Sequence, residues 1–273
     1  MKFLELGKLN NQSGVPGLNR NDLYEIHIPL PPLSIQQQIV DEISGYQKVI
    51  DGCRLLVEHY RPVVAVEEGW ERVKLQEIAH EIRSGYSSGV SNLDRHGVPH
   101  LRPMNISTDG LLVWEGTKYI DFELFNAKID YSLQHGDILF NNTNSKELVG
   151  KTCFIDKDIQ CGFSNHMTRL RIKPEMAEPK FIALIIHKSW REGYFQELSN
   201  KWIGQAGIGI NTLGNTIIPL PDLPTQRRIV AALETELAVI EGVRQLQATM
   251  EARVRAVIGR VWGDAHQKNT PTA

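Results

Sequence analysis

The sequence predicts an α/β (α+β) globular domain together with two long helices that pack as an antiparallel coiled-coil spacer. Three observations support this fold class. The segment IPLPPLSIQQQIV returns as IPLPDLPTQRRIV, with Pro29 and Pro219 in the same place, 190 residues apart. Each copy leads into a long series of apolar residues at heptad spacing, which is typical of helices that pack on each other. Between the copies, strand-like and helix-like segments follow one another.

Length and composition place the chain among ordinary globular proteins. It has 273 residues, of which 41% are hydrophobic and 23% charged, and its net charge is −2. Its apolar runs are far shorter than the roughly 20 residues of a membrane span, and the amino terminus lacks the pattern of a secretory signal. Three cysteines form no even disulfide set, so we expect reduced thiols, a cytoplasmic location and no structural metal. The charge does not exclude nucleic-acid binding, because Lys and Arg can share one face.

The repeated unit consists of a Gly-rich approach, an extended piece with prolines, and a helix. Prolines fix φ and lack an N–H donor, so they hold the approach extended. Residues on both sides of the prolines recur at the same offset: Gly14, Gly17, Asn21, Leu23, Val49, Ile50 and Gly52 with Gly204, Gly207, Asn211, Leu213, Val239, Ile240 and Gly242.

The first helix is predicted within residues 25–62. Ser34 followed by Gln37 forms a capping-box pattern at its start, and Pro62 ends it near Arg61. The helix therefore has about 27 residues and a length of roughly 40 Å. Its seam of apolar-capable residues alternates spacings of four and three: Ile39, Ile43, Tyr46, Ile50, Cys53, Val57 and Tyr60.

The second helix is predicted within residues 212–263, followed by a disordered tail at residues 264–273. Pro224 suits the first turn of this helix, and we expect the helix to end near Trp262. Its seam matches that of the first helix: Ile229, Leu233, Glu236, Ile240, Val243, Gln247, Met250, Val254, Val257 and Val261.

Two of these seam positions are polar, and the packing of the helices has an alternative. The adjacent residues Leu237 and Leu246 are the alternatives to Glu236 and Gln247 at these seam positions. A single amphipathic helix usually packs on its own domain. The duplication favours a pair of helices that pack on each other. We do not interpret the prolines as an SH3-type ligand, because both copies lead directly into a helix.

The insert between the repeats, residues 70–211, has the mixed pattern of an α/β or α+β domain. RSGYSSG and DRHGV indicate loops, whereas LLVWEGTKYI, GDILFN and CFIDKDI indicate strands. EPKFIALIIHKSWREGYFQEL indicates a helix opened by Pro179.

No motif in the insert indicates a catalytic centre. SKELVGKT lacks the first glycine of a P-loop, where Ser145 stands, and a strand instead of a helix is predicted to follow. His96 and His100 have helical spacing, but Gly97 and Pro99 break it and no zincin pattern is present. We interpret the acidic residues Glu147, Asp156 and Asp158 as solvated loop carboxylates and expect no catalytic or metal-binding residues.

The insert does contain polar loops whose side chains suit nucleic acid. Asn pairs bidentately with adenine, Arg and Lys pair with guanine, and Ser and Lys bind phosphate. Each such loop alone is more often only a turn, but their density in one domain favours DNA binding. The first candidates are Arg102, Asn141, Asn144, Lys146 and His166, and the full set adds Arg83, Ser87, Asn105 and Lys151.

The whole arrangement resembles the specificity subunit of type I restriction-modification systems. The resemblance rests on the two IPLPxLxxQ copies, on WERVKLQEIAHEIRSG at the start of the insert and on GDILFNNTNSKELVGKTCFI in its middle. In that family, two target-recognition domains alternate with two helical regions that pack antiparallel as a spacer. This chain departs from the pattern, because residues 70–211 form its one recognition domain and residues 1–24 resemble the remnant of a preceding one.

The resemblance implies a non-catalytic DNA-binding subunit in the cytoplasm of a bacterium or archaeon. Such a subunit reads one half of a bipartite double-stranded DNA site with each recognition domain. It docks methyltransferase (M) subunits, which use S-adenosylmethionine to methylate adenine N6, and a restriction and translocase (R) subunit joins that complex. The chain itself would bind no cofactor.

The resemblance leaves two other functions and the oligomeric state open. The chain could be a scaffold or decoy that binds M subunits without productive DNA recognition, or an enzyme with its own centre, which the motif search disfavours. One recognition domain favours a homodimer, since two half-sites must be read. Two helices in one chain favour an intramolecular pair, which we expect.

Overall fold

A computed structural model describes residues 20–24, 28–89, 96–202 and 205–268. The chain divides into two compact units, one formed by Met1–Tyr60 with Leu237–Ala273 and the other by Arg61–Glu236. The second unit encloses the predicted recognition domain. Within the described stretches, no helix is both long and apolar enough to cross a membrane.

The first unit begins with a short helix, α1 (Arg20–Tyr24), and a long one, α2 (Leu33–His59), which has the predicted 27 residues. The predicted capping box is wrong, because Pro32 occupies the N-cap and no side chain caps the helix. The Pro32 carbonyl already accepts hydrogen bonds from the amides of Ile35 and Gln36. Ser34 therefore lies inside the first turn, where it is too late to act as the cap.

The last helix, α8 (Leu223–Lys268), has 46 residues and contributes to both units. Pro224 lies in its first turn, as predicted. The helix continues beyond Trp262, so the predicted end is too early. Gly263 is the weak helix former at that point, and one glycine costs only about 1 kcal/mol relative to alanine, which is too little to end a helix. Residues 264–268 of the predicted tail are helical, and residues 269–273 lie outside the described residues.

Helices α2 and α8 contact each other as an antiparallel pair, as the repeat predicted. The Arg260 guanidinium lies 3.0 Å from the Glu42 carboxylate, and the Arg253 guanidinium lies over the Tyr46 ring at 5.9 Å. The contact moves forward on α2 as it moves backward on α8, which defines the antiparallel direction. The pair is therefore intramolecular.

Burial follows the predicted seams with one change. Six of the seven predicted seam residues lie on α2, and the seventh, Tyr60, is its C-cap. All seven are less exposed than their neighbours, and Ile50 is among the buried ones. On α8, Leu237 takes the place of Glu236, which is exposed. Gln247, however, keeps its seam position and Leu246 is exposed. The prediction for Leu246 is wrong because the heptad spacing, which resumes after Ile240 with Val243, brings Gln247 to the inner face.

In its described residues, the second unit contains four small sheets and several helices. Their strand orders are β2-β9-β5-β7, β4-β3-β8, β10-β11-β6 and β1-β12. The elements are β1 (Glu71–Lys74), α3 (Leu75–Ile78), β2 (Ala79–Ser84), β3 (Val98–Leu101), β4 (Lys118–Ile120), α4 (Phe122–Asn126), β5 (Ile138–Asn141), β6 (Thr143–Asn144), β7 (Thr152–Phe154), β8 (Gly162–Phe163), β9 (Met167–Ile172), α5 (Pro179–Arg191), α6 (Tyr194–Leu198), β10 (Asn200–Trp202), β11 (Gln205–Gly207), α7 (Ile210–Gly214) and β12 (Ile217–Leu220).

Most predicted segments of the insert are confirmed. GDILFN forms β5, the start of CFIDKDI lies in β7, and Pro179 opens α5. Gly193, at φ +84°, separates α5 from α6, so the predicted single helix is two. Of LLVWEGTKYI, only the last three residues form a strand, β4. The rest wraps around Asn105, whose side-chain amide donates to the carbonyl oxygens of Val113 and Glu115.

The main hydrophobic core lies between the β2-β9-β5-β7 sheet and α5, and the second IPLP copy is part of it. Phe140 from the sheet and Phe181 from α5 are fully buried in this cluster. Ile218 of β12 and Val230 and Leu233 of α8 belong to the same cluster. β12 also pairs antiparallel with β1. The domain is therefore fixed to the start of its own spacer helix by strand pairing and by apolar burial.

Candidate nucleic-acid interface

Strand direction brings three loops of the second unit to one end of the main sheet. β9 is antiparallel to both β2 and β5, with Ser84 opposite Thr168 and Asn141 opposite Met167. The segments after β2, after β5 and before β9 therefore meet. The parallel pairing of β3 with β8 adds a fourth segment, since the amide of Ser164 donates to the carbonyl of Leu101 at 2.9 Å.

Hydrogen bonds between these loops hold them in fixed positions. The Asn142 amide donates to the His166 carbonyl at 3.1 Å, and the Asn142 side chain donates to the Asn165 carbonyl at 3.2 Å. The Asn165 amide in turn donates to the carbonyl of Tyr86 at 3.2 Å. A surface built this way is preorganised, so binding orders little backbone.

Five of the predicted site residues lie in these segments with accessible side chains, four in loops and Asn144 on the short strand β6. Ser87, Lys146 and His166 are exposed, whereas Arg102 and Asn144 are partly exposed. We call these five residues the loop-end cluster. They present hydroxyl, ammonium, imidazole, guanidinium and amide groups, which are the groups that contact phosphates and base edges.

Three other predicted residues are buried and cannot contact a ligand directly. Asn105 and Asn141 have no exposed surface, and Lys151 is 6% exposed. The Asn141 side chain donates to the Leu148 carbonyl at 2.8 Å, and the Lys151 ammonium donates to the Ile106 carbonyl. These contacts tie loops to the sheet, because buried polar groups need hydrogen-bond partners. The prediction that these three residues contact DNA is therefore corrected: they position the loops.

Arg83 lies on a strand next to the loops but is held by an ion-pair network. Its guanidinium is 2.8 Å from the Glu81 carboxylate and lies over the Tyr131 ring at 5.3 Å. The fully buried Arg169 contacts the same carboxylate at 2.5 Å. Burial acts to raise the pKa of Glu81, but the hydrogen bond and charge of Arg169 outweigh it, and the pKa is lowered. The Arg83 guanidinium is thus engaged in contacts with Glu81 and Tyr131 inside the protein.

Two aromatic side chains close in sequence to Ser87 and Arg102 pack on each other. His100, which is 1% exposed, lies 5.0 Å from the Tyr86 ring in an edge-to-face contact. Burial, with a smaller contribution from the nearby Arg102, lowers the pKa of His100 to about 4. Burial raises the pKa of Tyr86 to about 12. Both groups are therefore neutral near pH 7 and add no charge next to the cluster.

The sequence-based selection missed Asn165, which is exposed between Ser164 and His166. Its signal was present in the polar segment SNHMTR. The carbonyl of Asn165 is used by Asn142, and its side chain lies among the loops of the cluster. Within the described ranges, no three His, Cys, Asp or Glu side chains come together to hold a metal ion.

Comparison with known proteins finds one matching family model, the type I restriction modification DNA specificity domain. It matches residues 1–52 and 67–252. These ranges include both IPLP copies and almost all of the second unit.

Individual relatives are distant. The MjaVIII type I restriction enzyme specificity subunit of Methanocaldococcus jannaschii is 24% identical, over 90% of this chain and 63% of the relative. A chain from a structure describing complex assembly and conformational transition of the type I R-M system aligns with TM-score 0.56 and 23% identity, over 97% of this chain and 67% of that one. The type I restriction-modification S subunit of M. genitalium aligns with TM-score 0.51 and 12% identity, over 93% of this chain and 68% of that chain. This chain thus spans about three fifths of the length of the first relative.

Proposed function

The chain belongs to the type I restriction modification DNA specificity family, and on that premise we propose that it reads one half of a bipartite double-stranded DNA site. The observation that carries the proposal is the convergence of four polar loops at one end of the main sheet. An inserted domain of unrelated purpose has no physical need to gather amide and basic side chains on one preorganised surface.

The loop-end cluster supplies the chemistry for this reading. The Arg102 guanidinium has the geometry to bind guanine O6 and N7, and the Asn144 amide suits an adenine edge. The Oδ1 atom of Asn144 accepts the Ser145 amide at 2.8 Å, which orients the side chain before DNA binds. Lys146 and Ser87 suit phosphate contacts, which position the domain without selecting sequence.

The helix pair supplies the second part of the proposed function, the docking of M subunits. The chain is non-catalytic in this proposal. M subunits, with S-adenosylmethionine, methylate adenine N6 in the half-site that the loops select, and an R subunit joins through the same complex. A chain that only docks M subunits would be a scaffold or decoy.

The experiment first identifies the target and then changes the cluster. Co-expression with the M subunit from the same source, followed by long-read mapping of N6-methyladenine, gives the recognised sequence. DNA duplexes with that sequence are then titrated with complexes that contain Arg102→Ala, Asn144→Ala or Lys146→Ala. We expect each lost base contact to weaken specific binding by about 1–3 kcal/mol. Lys146→Ala should weaken binding to DNA of any sequence by the same factor and reduce the salt dependence of the affinity.

Lys157→Ala is the matched control for Lys146→Ala. Lys157 is exposed and follows β7, whose residue Phe154 pairs with Ile138 at the opposite end of the sheet from Asn141. The Lys157→Ala substitution should leave the affinity for DNA unchanged. If the Arg102 and Asn144 variants bind the target as well as the parent while M subunits still co-purify, the reading function is refuted and the scaffold function replaces it.

A further inference from the structure

Two large apolar side chains lie exposed on the loop between β3 and β4. Met104 is 56% exposed and Trp114 is 46% exposed. We call these two residues the apolar pair. In the described part of the chain, neither belongs to the apolar clusters of the domain core. Exposed apolar groups that are bordered by polar residues mark binding surfaces, so the neighbours of the pair indicate what it binds.

The loop that carries the pair is folded around a buried asparagine. Asn105 has no exposed surface, and its Oδ1 atom accepts the Arg102 amide at 2.9 Å. Its side-chain amide donates to the Val113 carbonyl at 2.9 Å and to Oγ1 of Thr117 at 3.1 Å. The Val113 amide returns a bond to the Asn105 carbonyl at 2.9 Å. Because these bonds join both sides of the loop, its shape is fixed before a ligand binds.

Main-chain pairing places the two apolar residues opposite each other. Ile106 pairs antiparallel with Leu112, and the bonds between Asn105 and Val113 continue this pairing. The next step brings Met104 opposite Trp114. The terminal methyl group of Met104 lies over Gly116, where an added Cβ would stand 2.6 Å from the methionine Cε. The pair therefore forms one apolar surface on a rigid loop.

This surface borders the loop-end cluster. β4 runs antiparallel to β3, with Lys118 opposite His100, so the residues just before Lys118 lie beyond the end of β3. Arg102 also follows the end of β3. The Leu101 carbonyl accepts the Ser164 amide at 2.9 Å, which brings the segment with His166 to the same end. The apolar pair thus lies next to polar and cationic groups of the cluster.

A ligand that covers this combined surface needs both negative charge and a small apolar group. Double-stranded DNA supplies both, since its phosphates bind cations such as Arg102 and Lys146. The apolar group that its major groove presents is the C5-methyl of thymine, which apolar side chains contact. Methionine suits this contact, because its flexible, polarizable thioether adapts to the shape of the group it meets.

We propose that Met104 and Trp114 contact the C5-methyl group of a thymine in the half-site. The proposal rests on the DNA-reading function proposed above and adds the kind of base that this loop selects. In the major groove, the methyl group distinguishes thymine from the other three bases without a hydrogen bond. The rigid loop holds the apolar pair for this contact, while Arg102 reads a base edge by hydrogen bonding.

The test removes the methyl group from the DNA and the apolar side chains from the protein. Duplexes with the sequence mapped by N6-methyladenine sequencing carry deoxyuridine in place of each thymine of the half-site, one at a time. Deoxyuridine lacks only the C5-methyl group. The duplexes are titrated with M-subunit complexes of the parent chain, Met104→Ala, Met104→Leu and Trp114→Ala.

At one thymine, we expect the replacement to weaken binding by the parent complex about three- to fivefold, the effect of one buried methyl group. Met104→Ala and Trp114→Ala should lose most of this sensitivity, whereas Met104→Leu should keep it because leucine preserves the apolar contact. Leu111→Ala is the matched control. Leu111 is 52% exposed on the same loop, but it follows Gly110, which packs against His187, at the turn away from the apolar pair. This control should keep the sensitivity of the parent.

The outcomes separate this proposal from the reading function. Specific binding by the parent without any methyl-sensitive thymine overturns the proposal and leaves the reading function intact. A sensitive thymine whose effect persists in both alanine variants also overturns it, because another residue then contacts the methyl group. So does an equal loss of affinity for all sequences in these variants, since the pair would then act as a wedge between base steps. A parent complex without specific binding refutes both proposals.

Discussion

Replacement of Gln226 by alanine should destabilise the second unit far more than the same change at Gln36. Gln226 has no exposed surface and makes two hydrogen bonds, to the Pro221 carbonyl at 2.7 Å and from the Glu178 amide at 2.8 Å. Each buried group left without a partner costs about 1–3 kcal/mol. Because Pro221 and Glu178 are only partly buried, we take the lower part of that range for each.

The expected loss is about 2–3 kcal/mol in the free energy of unfolding. Gln36→Ala removes the equivalent bond to Pro31, but water reaches that site, so the expected loss is below about 1 kcal/mol. Urea denaturation of the parent and the two variants, followed by circular dichroism, measures both values. Equal losses in the two variants would refute the reasoning, because they would show that the domain adds nothing to the stability of the second IPLP copy.

Three further predictions follow from the second unit. His187 accepts the Thr152 amide and contacts the Thr108 carbonyl; burial first, and then Arg191, lower its pKa to about 4, as burial does for His100. Below about pH 6.5 the unfolded chain protonates both histidines, whereas the folded chain does so only near pH 4. The free energy of unfolding should therefore fall between pH 6.5 and 4, by about 2 kcal/mol per histidine at pH 5. Denaturation at a series of pH values measures this fall, and His187→Phe should remove the part that His187 contributes. Arg169→Met should cost about 3–5 kcal/mol, since it strands a carboxylate in a partly buried network; a loss under 1 kcal/mol would contradict that role. Gly150→Ala should lower Tm, because Gly150 has φ +98° and an added Cβ would lie 2.7 Å from Phe195; an unchanged Tm would show that the loop relaxes freely.

Elements with a local, periodic signal were predictable from the sequence. The length of α2, the seam residues Ile39 to Tyr60 and the start of α5 at Pro179 all depend on spacings within one segment. Errors arose where two local signals competed. Ser34 has the residue type of a cap, but the preceding prolines start the helix earlier.

The site was less predictable, because exposure depends on partners far along the chain. Asn141 and Asn144 lie three residues apart and are chemically identical in sequence. Asn141 turns inward to the Leu148 carbonyl, whereas Asn144 stays partly exposed. Lys151 contacts Ile106, 45 residues away. A selection of polar loop residues from the sequence therefore combined accessible residues such as Asn144 with buried residues, such as Asn141 and Lys151, that hold the loops in place.

The sequence by itself determined the repeat, the two spacer helices and the family, because these are properties of residue order and period. Tertiary structure alone decided which of the two IPLP copies is buried. Ile28 and Ile218 have the same side chain and are both followed by Pro-Leu-Pro, yet Ile218 is 1% exposed and Ile28 is 63% exposed. The physical reason is that burial requires two surfaces, and the sequence of an IPLP copy does not contain the strand β1 or the apolar cluster that covers the second copy.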